Sequence, residues 1–530
     1  MYKHYSIGIL LCCLILVACR KDVELGAYPY ESSKDALSVK LSTEALRPGV
    51  SAPGTTVTLS GSRFNNYKKE ELLVKFNGEP AEVISVTATR LEVKVPERAS
   101  SGLITLTIKK QVLPGPLHQI SGAVSQDAVF KSFPGATGGL VNAIRFQNDG
   151  KYIIVGNFTD YDNSGDADGM NGMARLNSDG SIDRTFRTRR GFRGGTVSDA
   201  LQLMDGRYLV AGSFSNYRGR FIPNAVQNII TLNGDGSPDS MLVQSPLREK
   251  PDTLPLLNLG FDAQVNKIHQ QSDGKIILTG LFRRIYRKTF GAVTADGTRD
   301  SIKVDTFHVN YLARLNADLT LDTTYNYDKS LPAGRPAVNG VIFDSYLTGT
   351  DQLMIAGSFT TFNGTPAARI ARLDTLGLLD AEFNVGVGPD NDVRSIDQLP
   401  DGRVVASGNF INVSGTIRKK IAVFSNKGAV DLSFDPGESA VGNVLHTRVL
   451  DNGKILVSGF FDIFQNYKRD GLAILEPDGK LSATHNNFGG FKNGFVLSSA
   501  EVTARNSIIL VGAFNSFDLR SVSGIVKLNY

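Results

Sequence analysis

Asp160, Asp162, Ser164, Asp166 and Asp168 alternate around Gly165 in one short stretch of the chain. Oxygen-bearing side chains at alternating positions about a sharply turning glycine suit a calcium ion, a hard cation that gathers many oxygens. No glutamate follows at the distance an EF-hand loop requires, so a solvated acidic turn is the competing reading. Two basic clusters offer a different chemistry. Arg283, Arg284 and Arg287 flank Tyr286, and Arg187, Arg189, Arg190 and Arg193 crowd a second segment. Guanidinium forks suit carboxylates or sulfates on an acidic glycan or partner, with solubilising surface charge as the plain alternative. Six histidines show no His-x-x-x-His or related metal spacing. The chain carries no Gly-x-Ser-x-Gly elbow and no phosphate-binding loop. No catalytic residue is therefore assigned, and calcium is the one cofactor the sequence offers.

These candidates hang on a repeat. Gly156-Asn157-Phe158 returns as Gly212-Ser213-Phe214, Gly280-Leu281-Phe282, Gly357-Ser358-Phe359, Gly408-Asn409-Phe410, Gly459-Phe460-Phe461 and Gly512-Ala513-Phe514. The intervals are 56, 68, 77, 51, 51 and 53 residues, so three gaps carry insertions. A period of this size signals a propeller, solenoid or array. Within a unit, strand A leads through Asp-Gly to strand B, the Gly-x-Phe strand. A variable loop then leads to strand C, and a second Asp-Gly to strand D. Asp149-Gly150 and Asp179-Gly180 are the first such pair, and aspartate-glycine between two β-runs is a strong hairpin signal. Tight connections thus fall at one end of each unit and the variable ones at the other, where recognition belongs. The acidic run occurs in one copy alone. The aromatics three residues after Gly-x-Phe (Tyr161, Tyr217, Phe362, Phe464, Phe517) recur in one register and are read as packing.

Composition agrees. The chain has 530 residues, 54 glycines, no tryptophan and a formal net charge of +5. It is too long for one ordinary core, and its mild charge, without basic runs interleaved with aromatics, argues against nucleic acid as a partner. Lys3 and His4 precede an apolar run from Ile7 to Ala18, the layout of a secretory signal too short to span a bilayer. That run ends in Leu16-Val17-Ala18-Cys19, which resembles the lipobox of bacterial lipoproteins. The resemblance implies lipidation at Cys19 after removal of residues 1–18, and hence a membrane anchor. Arg20-Lys21-Asp22-Val23-Glu24 is similar to the surface-export signal of Bacteroidota lipoproteins, or else is a solvated part of a tether over 19–38.

Residues 39–110 carry Pro-Gly-x-x-Val-x-Leu-x-Gly-x-x-Phe, then Val-x-Phe-Asn-Gly, then Val-x-Val-Pro, and resemble the IPT/TIG family of Ig-like domains. Residues 111–126 read as a linker. Over 127–530, the combination of Asp-Gly-Lys/Arg, Gly-x-Phe, Ala-Arg-Leu and Asp-x-x-Phe resembles the delta-sixty type of propeller repeat. The seventh copy stops after strand C, while an orphan Asp127-Ala128-Val129-Phe130 precedes the first. The expected fold is therefore all-β: an Ig-like sandwich followed by a seven-bladed β-propeller closed by an N-terminal strand. The expected function is a lipid-anchored outer-membrane protein facing the cell exterior. Its loop face would bind an extracellular glycan or a partner protein, within a nutrient-uptake system. An adhesin or assembly scaffold, and a polysaccharide-active hydrolase or lyase at the ring mouth, are the alternatives.

Overall fold

The computed structural model describes residues 37–164, 170–192, 194–502 and 506–530. Cys19 and the expected signal and tether lie outside them, and among the described residues no helix is long and apolar enough to cross a membrane.

The N-terminal domain is an all-β sandwich made by one strand that changes partners. The first part of Glu79–Val86 pairs with Leu73–Phe76 and its remainder with Arg90–Lys94, with a register shift between Val83 and Ser85. Such a bulge bends the strand and lets two layers close over one core. Alternation along Arg90–Lys94 and Gly102–Ile108 sends Leu91, Val93, Ile104, Leu106 and Ile108 inward, around Phe64 and Phe76. One boundary differs from expectation. Gln111–Ile120, read as linker, is a ten-residue strand on Gly102–Ile108, and Ile120 joins the core. Pro114, Gly115 and Pro116 gave it a loop's composition, but the ladder shifts register beside them, where prolines lacking a donor are tolerated.

The sandwich rests on the propeller through buried polar contacts. Asn487 Nδ2 donates to Ala99 O at 2.9 Å, and Ser101 N donates to Asn487 O at 2.8 Å. The Arg469 guanidinium, 2 % exposed, reaches Arg98 O at 3.2 Å and Ser100 Oγ at 3.4 Å. Burial pulls its pKa down to about 10.

Seven blades follow. Strands A, B and C of the first are Val141–Phe146, Tyr152–Gly156 and Met173–Leu176, and each later repeat builds the same antiparallel trio. Strand A is innermost, and the first blade's strand A touches both the second's and the seventh's, so the ring is closed. Strand B is covered on both faces, which is why it reads as an unbroken apolar run; all of Tyr152–Gly156 is buried. The repeated glycine has a specific cause. Strand A bulges between Val141 and Ala143, and a Cβ on Gly156 would lie 2.0 Å from Leu140 O. The same clash, at 2.2 Å with Thr196 O and 1.8 Å with Val341 O, bars any side chain at Gly212 and Gly357. The phenylalanines Phe158, Phe282, Phe359 and Phe410 are fully buried beside them.

Strand D is shorter than its motif suggests. In blades one to six it is a single β-bridge, such as Leu176 to Ile182 and Leu315 to Leu321. Its aspartate turns the chain instead of extending the ladder: Asp183 Oδ1 accepts from the backbone and hydroxyl of Thr185, and Oδ2 takes Arg175 Nε at 2.8 Å. The aromatic of the motif sits beneath that guanidinium, 4.8 Å away at Phe186 and 4.5 Å at Tyr325 under Arg314. The ring closes by the same device. The expected closing strand 127–130 is displaced: Ser125–Gln126 makes the ladder with Ile525–Asn529. Asp127 instead takes Lys527 Nζ at 3.0 Å, and Phe130 packs edge-on against Tyr152 of the first blade. Asp127 and Phe130 are thus the seventh blade's strand D motif, supplied from the other end of the chain.

Candidate functional site

The inner ring comes first, because carboxylates from different blades meet there. Arg145 of blade one forks onto Asp199 of blade two, with Nε to Oδ1 at 2.8 Å. Lys267 of blade three pairs with Asp344 of blade four, and Arg448 of blade six reaches Asp397 of blade five at 3.5 Å. Each carboxylate also accepts a main-chain N–H from the following blade: Ile268 to Asp199, Ile396 to Asp344, Val449 to Asp397. Burial holds His269 and His446 neutral, with pKa values near 3 and 4, and each bonds a serine of the next blade. These groups tie blade to blade, although the buried Nε of Arg448 has no hydrogen-bond partner among the described residues.

The insertions build something else. Between blades two and three, Ser240–Val243 pairs with Asp252–Pro255 as a hairpin. In blade three the B-to-C connection rises as a long ribbon, Arg284–Val293 against Asp300–His308, with Leu259–Phe261 added along its side. Hairpin, ribbon and the B-to-C connection of blade two (222–227) border a half-open cavity of about 690 Å³. That size suits a small-molecule site. Strand alternation puts Tyr286, Lys288 and Phe290 on one face of the ribbon, towards the cavity, with Val304 opposite. Ile222, Val243 and Leu254 supply the facing wall.

The cavity's charges are unequally matched. At the tip, Arg248 pairs with Asp252 and with Asp300, each at 2.7 Å, and Ser245 Oγ donates to Asp300. That cluster fastens the hairpin to the ribbon. At the base, Lys288 is 2 % exposed, and its Nζ donates to Ala225 O at 3.0 Å. Among the described residues it has no carboxylate partner, and burial alone draws its pKa down to about 8. The ammonium keeps donors to spare. Gly260 makes the room: a Cβ there would lie 3.0 Å from Lys288 Nζ and 3.0 Å from Gln227 Oε1.

Of the candidates named from sequence, Tyr286 lines this cavity. Arg283, Arg284 and Arg287 sit elsewhere on the ribbon. Arg283 Nη2 donates to Tyr311 Oη at 2.7 Å, its backbone and that of Arg284 cap Asp262, and Arg287 pairs with Asp305 at 2.7 Å. Arg187, Arg189 and Arg190 lie between blades one and two, apart from the cavity lining; Arg187 O accepts from Arg218, and Arg193 lies outside the described residues. In the acidic run, Asp160 Oδ1 accepts from Tyr161 N at 2.8 Å and Ser164 Oγ at 2.6 Å, closing the turn on itself. Asp162 has a left-handed φ of 56°, and Asp166 and Asp168 lie outside the described residues. Among the described residues no group of three or more His, Cys, Asp or Glu side chains is placed to hold a metal ion. The recurrent aromatics Tyr161, Tyr217, Phe362, Phe464 and Phe517 are all fully buried. Sequence reading missed Lys288, Arg248 and Asp300. For Lys288 the signal was present, since Tyr286 and Phe290 flank it at the two-residue spacing of one strand face.

Known families match both parts of the chain. The IPT/TIG domain matches residues 42–124, and the beta-propeller described as a domain of unknown function (DUF5122) matches 147–186, 297–325, 350–383 and 399–434. No curated protein matches. Among solved structures, an auxiliary nutrient binding protein from Bacteroides thetaiotaomicron VPI-5482 is 10% identical, with 92% of this chain and 97% of that one covered at a TM-score of 0.31. Another from Bacteroides ovatus ATCC 8483 is 12% identical, with 92% and 97% covered at 0.28. The C-terminal WD40 domain of Sif2 is 12% identical, with 91% and 95% covered at 0.35. Likenesses this distant carry no functional argument.

Proposed function

We propose that the protein is a cell-surface binding protein, anchored in the outer membrane by a lipid on Cys19, that captures an extracellular ligand in the cavity between blades two and three. The ligand is a component of an extracellular glycan or the segment of a partner protein that fits this cavity, taken up as part of nutrient acquisition. One observation carries the reading. The ring's regular repeats end in short hairpins, whereas the hairpin and ribbon inserted around blade three converge on a half-open, mainly apolar cavity lined by a buried lysine. Insertions on a rigid scaffold that meet to form a concave surface are the usual construction of a recognition site.

Val304→Trp tests it, because Val304 lines the cavity yet is 48 % exposed, so the larger ring fills space without disturbing the core. Detergent-solubilised full chain is applied to polysaccharide arrays and to outer-membrane extracts. Wild type retaining a ligand that the folded Val304→Trp variant loses supports the reading. A retained ligand indifferent to that substitution contradicts it.

A further inference from the structure

Burying an ammonium without a counter-charge is unfavourable, and natural proteins pair such groups or lower their charge. Lys288 is an exception inside this cavity. Arg248, the other cation lining it, is neutralised by Asp252 and Asp300, while among the described residues Lys288 Nζ has the carbonyl of Ala225 as its hydrogen-bond partner. Beside it stand Tyr286 and Phe290 on its own strand face, Val304 across the ribbon, and the neutral side-chain amide of Gln227. Gly260 keeps the space beside Nζ clear. The cavity thus holds one positive group without a carboxylate partner in a mainly apolar lining.

We propose that the cavity binds a small organic carboxylate, its anionic group paired with Lys288 Nζ and its apolar body lying along Tyr286, Phe290 and Val304. This rests on the binding role given above and names its ligand class. The carboxylate supplies the counter-charge the protein withholds, and the pair is formed out of water, where a charge-assisted hydrogen bond is strongest. A neutral sugar leaves the ammonium unpaired, and a cation repels it. The depressed pKa fits this assignment: bound anion holds the proton on Lys288, and without it burial releases the proton near pH 8. The other charged and titratable groups lining the cavity are Tyr286 on the same strand, Asp300 on the return strand, and Arg248 and Asp252 on the hairpin.

The test uses detergent-solubilised full chain in calorimetric titrations at pH 7 with three probes of one shape: 4-phenylbutyrate, 4-phenylbutan-1-ol and 4-phenylbutylamine. The acid is expected to bind roughly tenfold or more tighter than the alcohol or the amine. Lys288→Met, of similar volume, should remove that advantage while leaving the alcohol's affinity within about twofold. Wild-type affinity for the acid should fall between pH 7 and 9.5, and the variant's should not, which cancels any contribution from the neighbouring groups. Acid and alcohol binding equally, or the acid binding undiminished in Lys288→Met, overturns the proposal. So does the failure of all three probes to bind. None of these results touches the broader reading, which the Val304→Trp comparison decides on its own.

Discussion

A single side chain sets the character of the site. Lys288 is held charged at neutral pH in surroundings that favour its neutral form, so its burial costs the folded state stability in a measurable way. Below pH 8 both folded and unfolded chains hold the proton, and the folded state carries the full penalty. Between about 8 and 10.5 the folded amine is neutral while the unfolded one is still charged, so the unfolded state binds more protons and stability rises with pH. Relative to Lys288→Met, wild-type stability should therefore climb by roughly 3 kcal/mol across that window, measured by denaturant unfolding at each pH. A constant difference between the two proteins would show that Lys288 is not buried as a cation. Little of this was legible in the sequence. Arginines drew attention because they cluster, but a cluster on an exposed ribbon finds its own partners, as Arg287 does with Asp305. Lysine between two aromatics at strand spacing is a weaker pattern and needs the facing hairpin to become a site.

Elements decide whether the cavity exists at all. The hairpin around Ser240–Pro255 shares no ladder with the ribbon and is held to it by the cluster of Ser245, Arg248 and Asp300. Exposed ion pairs contribute little to global stability, typically under about 1 kcal/mol, and Arg248 is half exposed. Asp300→Ala should accordingly leave the unfolding midpoint nearly unchanged while speeding hydrogen exchange in the hairpin, read by mass spectrometry. Unchanged exchange there would mean that apolar contacts with Val243 and Leu254 hold the hairpin. That these insertions exist was plain from the uneven repeat intervals. Their strand content was not, because Arg284–His308 alternates too irregularly for period-two reading and bulges between Thr289 and Ala292. Strand D erred the other way: its motif looked like a strand, yet the aspartate's hydrogen bonds to the backbone two residues on turn the chain after one bridge.

At the scale of the whole molecule the seven-fold ring was legible in full, since one steric event, a carbonyl pressed against strand B, demands glycine in every blade. The closure was legible too, though two residues away from where it was placed. Phe130 is nearly buried against the first blade while belonging to the last, so Phe130→Ala should cost about 3–5 kcal/mol and be felt across the ring. Calorimetry should show a lower and less cooperative transition; a purely local effect would mean that the ladder of Ser125–Gln126 with the C-terminal strand closes the ring unaided. The N-terminal sandwich is seated on the ring through Arg469 and Asn487, which fixes its attitude to the propeller.

The central claim is that recognition occurs between blades two and three, away from the inner ring. Hydrogen-exchange mass spectrometry of the full chain with saturating 4-phenylbutyrate addresses it most directly. Protection is expected over Ile222–Gln227 and along Arg284–Val293 with its partner strand, and the innermost strands of the other blades should be unchanged. Protection confined to the inner-ring strands, or none on the ribbon, would contradict it.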